Sequence, residues 1–235
     1  MIRMIVLKSL HPFSRGARRE CYVHPNDPHI CLKIALPGQD GTNQRRAAKF
    51  PKRYLPLRLF DENLDDLYAY QNLSKPTLIL NRLVLPQVHG IVETDRGPAL
   101  SMELITNSDG TVAPSLKEHI LRNGVSEKTQ KAVDELKTLC TQFNLVLKDT
   151  KPNNIAAALD GDGDIIRLAF IDGFGLGKLF SFYDRIPFRA KRIVARNNKR
   201  LDSRVSHFAQ LHAEGRTCEA NSNGMSLNYE INPSS

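Results

Sequence analysis

Apolar positions along this chain change period several times, and each change marks an element. The run Ile30-Cys31-Leu32-Lys33-Ile34-Ala35-Leu36 reads as a strand carrying one charge, Lys33. Leu64, Leu67, Tyr68 and Leu73 then fall near helical spacing, with Asp61 placed to start a helix over 61–73. Strand character returns in Leu83-Val84-Leu85-Pro86 and Ile91-Val92-Glu93-Thr94, punctuated by His89-Gly90, and again from Pro98 to Ile105 after the turn Asp95-Arg96-Gly97. Helices are expected over 115–123 and 126–143, the second with Val133, Leu136, Leu139, Cys140 and Phe143 on one face. Two apolar runs, 154–159 and 165–171, flank Asp160-Gly161-Asp162-Gly163-Asp164, a strong signal for a hairpin turn. Residues 185–204 suggest one more helix, with Ile193, Val194 and Leu201 facing inward. The start, 1–10, is apolar but broken by Arg3 and Lys8 and reads as a first strand rather than a signal segment; from about 214 the chain is polar and turn-rich. Strands first and helices later, with one hairpin among the helices, predict an α+β fold.

Composition narrows the picture. A length of 235 residues allows one sizeable domain, and no run approaches membrane-spanning length. Cys21, Cys31, Cys140 and Cys218 are scattered without C-x-x-C pairing, which argues against zinc or a disulfide framework and suits a reducing cytoplasm. The formal net charge is +8, concentrated partly in 185–204, so that helix is expected to attract anions such as an anionic membrane surface or a glycolipid. Nucleic acid is not expected, because neither aromatic platforms nor a groove-reading motif accompany the charge.

The densest chemistry lies in Lys148-Asp149-Thr150-Lys151-Pro152-Asn153-Asn154 and in Asp172-Gly173-Phe174-Gly175. Asn154 stands five positions after Asp149, the D-x-x-x-x-N spacing of a kinase catalytic loop. Phosphoryl transfer asks for a carboxylate to accept the hydroxyl proton while metal ions and a cation hold the polyphosphate. Asp149 and Lys151 are the catalytic candidates, and Asn154 with Asp172 the Mg²⁺ ligands, since a hairpin over 154–171 returns both to the same end of one small sheet. The Asp-Gly-Asp-Gly-Asp turn lacks the closing Glu of a calcium loop.

Upstream, Lys33 sits where the V-A-I-K lysine of kinases pairs with nucleotide phosphates and a helix acid. Asp66, with Asp65 and Glu62 as alternatives, is the acid, although an aspartate is one methylene shorter than the usual Glu. Pro12 to Arg19 offers one glycine, Gly16, where a phosphate-covering loop usually carries three; Arg15, Arg18 and Arg19 could instead take phosphate oxygens or form a solvated basic turn. Glu103, Leu104 and Ile105 are candidates for backbone contact to adenine, with Met102 facing the pocket.

From about residue 5 to residue 180 this order of Lys33, helix acid, apolar hinge, Asp149, Asn154 and Asp172 resembles the protein-kinase-like superfamily. More narrowly the chain resembles the YrbL family, through Arg19-Glu20-Cys21-Tyr22-Val23-His24-Pro25, Cys31-Leu32-Lys33-Ile34, His89-Gly90-Ile91-Val92-Glu93-Thr94-Asp95 and Leu147 with Lys151-Pro152-Asn153-Asn154-Ile155. The resemblance implies a two-lobed kinase-like domain over 1–212, with an antiparallel N-lobe sheet to about 105, a minimal helical C-lobe after it, and a polar tail over 213–235. It implies a link to the PhoP regulatory network of Gram-negative bacteria and ATP with Mg²⁺ as cofactors, the acceptor being a small molecule, a glycan or a protein. Two alternatives stand beside a phosphotransferase. One is a non-catalytic pseudokinase regulator; the other is a kinase of lipopolysaccharide core or another glycan, favoured by the faint resemblance of 195–201 to such enzymes and by the absence of an A-P-E motif.

Overall fold

A computed structural model of the chain describes residues 4–72, 83–173 and 187–216. These form two compact units, one from 4–72 with 87–104 and the other from 83–86 with 105–173 and 187–216. The expected class holds: an antiparallel sheet dominates the first unit and helices the second, an α+β architecture.

In the first unit, strands β1 (Ser14–Arg15), β2 (Arg19–His24), β3 (Asp27–Ala35), β4 (Val88–Thr94) and β5 (Gly97–Glu103) form one sheet in the order β1-β2-β3-β5-β4, every neighbour antiparallel. Tyr22, Leu32, Ile34 and Ala99 pack with Leu7 into its core. Burying an aliphatic or aromatic side chain of this size stabilises by about 1.5–3 kcal/mol. Burial and a hydrogen bond to Glu20 push the Tyr22 hydroxyl up to about 12. The short helix α1 (Gly41–Ala47) and α2 (Glu62–Gln71) follow β3. Asp61 does start α2, as its N-cap, accepting from the amides of Asn63 and Leu64 at 3.0 and 3.1 Å.

Two strand expectations fail here. Among the described residues the strand expected over 1–10 reduces to a single parallel bridge, Ile5 to Thr94, because the Asp95 carboxylate draws the Leu7 amide into a turn at 2.7 Å. Leu83-Val84-Leu85-Pro86 joins no strand; Val84 and Leu85 are 2 % exposed, and the Val84 carbonyl accepts from Phe170 in the second unit. An apolar tetrapeptide scores as strand whether or not a partner edge is available, and tertiary packing decides.

The second unit holds α3 (Leu116–Asn123), α4 (Glu127–Gln142), the hairpin β6 (Ile155–Leu159) with β7 (Ile165–Phe170), and the long helix α5 (Pro187–Ala213). Ser115 caps α3 in a full capping box with Glu118, and Ser126 caps α4. The hairpin turn closes as its sequence demands: the Asp160 carboxylate accepts from the amides of Asp162 and Asp164 at 3.0 and 2.9 Å, and Gly163 takes a φ of +82°. Along α5, Ala190, Val194, Leu201 and Val205 are buried, while Arg189, Lys191, Arg192, Arg196, Lys199 and Arg200 are exposed.

Candidate functional site

In the first unit Lys33 lies in the middle of β3, opposite Cys21 of β2 and Leu100 of β5, and is 4 % exposed. Strand alternation puts Cys21, Val23 and Cys31 on the same face as Lys33. A hydrogen bond to Cys21, together with burial, raises the Cys31 thiol well above its ordinary range. The Lys33 carbonyl accepts from Asn63 Nδ2 of α2 at 2.9 Å, which fixes that helix against the strand.

Helix α2 is held chiefly by Arg19, at the start of β2. Its guanidinium donates to Asp66 Oδ2 at 2.8 Å and to Asn63 Oδ1 at 3.0 Å, with Glu62 at 3.5 Å. Arg19 and Asp66 are 7 % and 3 % exposed, so this is a buried ion pair with added hydrogen bonds. The helix acid Asp66 thus pairs with Arg19, and Arg19 is no solvated loop cation. Arg15 and Arg18 are also engaged, by Glu20 at 3.5 Å and Glu62 at 3.3 Å.

Gly16 sits in the turn between β1 and β2, its amide donating to the Arg19 carbonyl at 2.8 Å. A Cβ there would come no nearer than 3.7 Å to that oxygen, so the turn does not require glycine. Met102 is 1 % exposed within β5, paired with Cys31 and Val88. The Glu103 amide donates to the Gln87 carbonyl at 2.7 Å and the Leu104 amide to the His29 carbonyl at 2.7 Å; Ile105, 4 % exposed, accepts from Ala113 in the second unit.

In the second unit the segment 147–154 and the end of β7 are tied into one knot. The amides of Lys148 and Asp149 both donate to the Gly173 carbonyl, at 2.9 and 3.2 Å, and Ile171 donates to the Asn154 carbonyl at 2.8 Å. Asn154 Nδ2 reaches the Asp149 carbonyl at 3.5 Å, and the Gly173 amide bonds the Asp172 carboxylate at 2.7 Å. Gly173 is what permits this. Its φ is +76°, and a Cβ there would lie 2.9 Å from the Asp149 carbonyl oxygen and 3.1 Å from Asp149 Cβ. Asp149, Asn154 and Asp172 are thus brought together, as a hairpin over 154–171 requires. Phe174 and Gly175 lie outside the described residues, as do Arg185, Cys218 and most of the 213–235 tail.

Two cations flank the Asp149 carboxylate. Lys151 Nζ is 2.7 Å from Oδ2, and Arg204, from α5, is 3.5 Å from Oδ1. The same helix reaches the loop again two turns earlier, where Asn197 Nδ2 donates to the Leu147 carbonyl at 2.8 Å and the Asn197 carbonyl accepts from Thr150 Oγ1 at 3.5 Å. Sequence reasoning counted Arg204 among the solvent-side cations and passed over Asn197. The sequence shows that Asn197 needs a partner but not which one: Val194, Asn197 and Leu201 share one helical stripe, and a polar residue in an apolar stripe is hydrogen-bonded.

A family model described as PhoP regulatory network protein YrbL matches residues 5–206. The chain belongs to the YrbL family. YrbL proteins of Escherichia coli (strain K12) and of Shigella flexneri are each 27% identical to it over 168 residues, covering 69% of this chain and 70% of theirs. A crystal structure of Rad53 1-466 in complex with AMP-PNP aligns with 91% of this chain and 50% of that one, at 13% identity and a TM-score of 0.42; the chain thus spans half the length of that solved protein. Both catalytic-loop candidates and both Mg²⁺ candidates lie inside the matched YrbL segment.

Proposed function

We propose that this YrbL-family chain is a kinase-like phosphotransferase that uses ATP and Mg²⁺. The carrying observation is the knot in the second unit, where Gly173 holds Asp149, Asn154 and Asp172 together by backbone hydrogen bonds. In this reading Asp149 positions the acceptor hydroxyl and receives its proton, and Lys151 stabilises the transferring phosphoryl group. Asn154 Oδ1 and the Asp172 carboxylate would hold Mg²⁺, which when bound neutralises charge developing on the polyphosphate. Among the described residues there is no cluster of three His, Cys, Asp or Glu side chains for a metal. One amide and one carboxylate nevertheless suit Mg²⁺, which binds through few protein oxygens and takes the rest from phosphate and water. Lys33 would pair with nucleotide phosphates, Gly16 would approach them in the β1–β2 turn, and Met102, Glu103 and Ile105 would meet the base.

The domain reading goes with this proposal: a kinase-like domain over 1–212, with an N-lobe of about 1–105, a C-lobe of about 106–212 and a polar tail over 213–235. A cytoplasmic site of action also goes with it, and Cys21, Cys31 and Cys140, which are thiols rather than disulfides, are compatible with it. Among the described residues no helix is long and apolar enough to cross a membrane. The acceptor is a small molecule, a glycan or a protein, and the exposed cations of α5 favour an anionic one, a glycolipid included.

A second reading, a pseudokinase acting in the PhoP network without catalysis, is favoured by two specific observations. Asp66 is engaged by Arg19 at 2.8 Å, and the β1–β2 turn carries a single glycine. Mg²⁺-dependent ATP binding, measured by calorimetry on the purified protein beside Lys33→Ala and Asp172→Ala, separates the two. Binding lost in both variants supports the phosphotransferase; no binding by the wild type at millimolar ATP selects the pseudokinase.

A further inference from the structure

The first unit carries a second feature that phosphotransfer leaves unused. Between Asp40 and Asp61 the chain has no acidic residue and six cations: Arg45, Arg46, Lys49, Lys52, Arg53 and Arg58. None of the six forms an ion pair among the described residues; Arg53 instead lies over the Tyr54 ring and Arg58 over the Tyr68 ring. Within this stretch Lys49–Pro56 is an unbroken run of eight exposed residues, built on the short 3-10 turn Lys52–Tyr54. Phe50 is 77 % exposed, Tyr54 69 % and Leu55 36 %, and the Phe50 ring meets Tyr54 edge-on at 6.1 Å. Large apolar side chains are rarely left to water in such a group without an occupant.

We infer that the 49–56 loop docks the protein on an anionic lipid bilayer, with Phe50, Tyr54 and Leu55 entering the headgroup boundary and Lys49, Lys52 and Arg53 meeting lipid phosphates. Charge complementarity fixes the sign of the partner, since three exposed cations stand beside the apolar side chains with no acid to offset them. Size and shape select a bilayer over a protein. A stable protein interface engages about 20–30 residues a side, whereas eight protruding residues offer too little. A soft interface accepts protruding side chains without a matching groove, and aromatic rings with adjacent cations settle at headgroup depth. The inference does not depend on the phosphotransferase reading and stands or falls apart from it.

The chain contains no tryptophan, so Phe50→Trp in the full-length protein gives a single reporter at the loop. It would be titrated with vesicles of phosphatidylcholine alone and of phosphatidylcholine with one third phosphatidylglycerol. The expected result is a blue shift of emission with anionic vesicles only, quenching by brominated acyl chains, and a binding curve moved to higher lipid by Lys49→Ala, Lys52→Ala and Arg53→Ala, about fivefold for each cation removed. Because the substituted side chains are exposed, circular dichroism should show the wild-type fold in every variant. Sedimentation of the protein with anionic vesicles while the emission stays unshifted would overturn the inference, since adsorption would then run through other cations such as those of α5. The same blue shift on adding polyglutamate in place of vesicles would also overturn it and assign the loop to an acidic protein.

Discussion

Gly173 and Gly16 show how differently one residue type can matter. At Gly173 a methyl group meets the Asp149 backbone at 2.9 Å in a left-handed conformation, whereas at Gly16 the nearest atom is 3.7 Å away. Gly173→Ala should therefore destabilise by roughly 1–3 kcal/mol through strain alone, while Gly16→Ala should stay within about 0.5 kcal/mol of the wild type; urea unfolding of the two variants checks both. If Gly16→Ala left stability unchanged but weakened ATP binding, its proposed approach to phosphate would gain direct support. Arg19 and Asp66 present the opposite case, a buried pair in which either partner alone is costly. Arg19→Ala and Asp66→Asn should each lower stability by about 3–5 kcal/mol, measured by the same unfolding curves. Asp149, Lys151 and Asn154 were legible at this scale because their spacing is local in sequence. The Arg19 to Asp66 pair was not, because it joins residues 47 positions apart.

Among the elements, α5 deserves its length by bracing the 147–150 segment at two points, Asn197 and Arg204. Asn197→Ala removes the donor to a buried carbonyl and should cost about 1–3 kcal/mol, while Arg204→Gln, at a partly exposed ion pair, should change stability by less than about 1 kcal/mol. A thermal-shift series in which Arg204→Gln proved the more damaging of the two would contradict this assignment. Helix α3 carries a pH response of its own. His119 is buried, contacts Thr129 Oγ1 and Asn123 Nδ2 at 3.3 Å each, and has its pKa lowered from 6.5 by desolvation. The unfolded chain then binds the proton more readily than the folded one. The His119 contribution is present above about pH 6.5 and is lost as pH falls toward the depressed folded value. The melting temperature should drop between pH 7 and pH 5.5, and the drop should shrink in His119→Gln. The helices themselves were readable from caps and spacing, since Asp61, Ser115 and Ser126 each stand where the unpaired amides of a helix start need an accepting oxygen. Leu83 to Pro86 was misread because an apolar run carries no record of which neighbour will cover it.

For the whole molecule, the prediction that matters most is Mg²⁺-dependent stabilisation by ATP. At a nucleotide concentration 100 times the dissociation constant, binding should raise stability by about 2.7 kcal/mol, and Asp172→Ala should abolish the Mg²⁺-dependent part. A melting temperature indifferent to ATP and Mg²⁺ would move the function to the pseudokinase. The sequence by itself determined the α+β class, the helix starts, the Asp-Gly hairpin and the 149–154 spacing, because each rests on periodicity or on contacts within a few residues, while the YrbL membership was legible through resemblance of whole segments to that family. Only the tertiary structure decided that Arg19 pairs with Asp66, and that Arg204 and Asn197 reach the 147–150 loop. It also decided that residues 49–56 stand in water with their apolar side chains uncovered. These depend on which side chains distant segments bring within 3 to 4 Å of one another, and hydrophobic period and propensity encode a buried face without naming what will be buried against it.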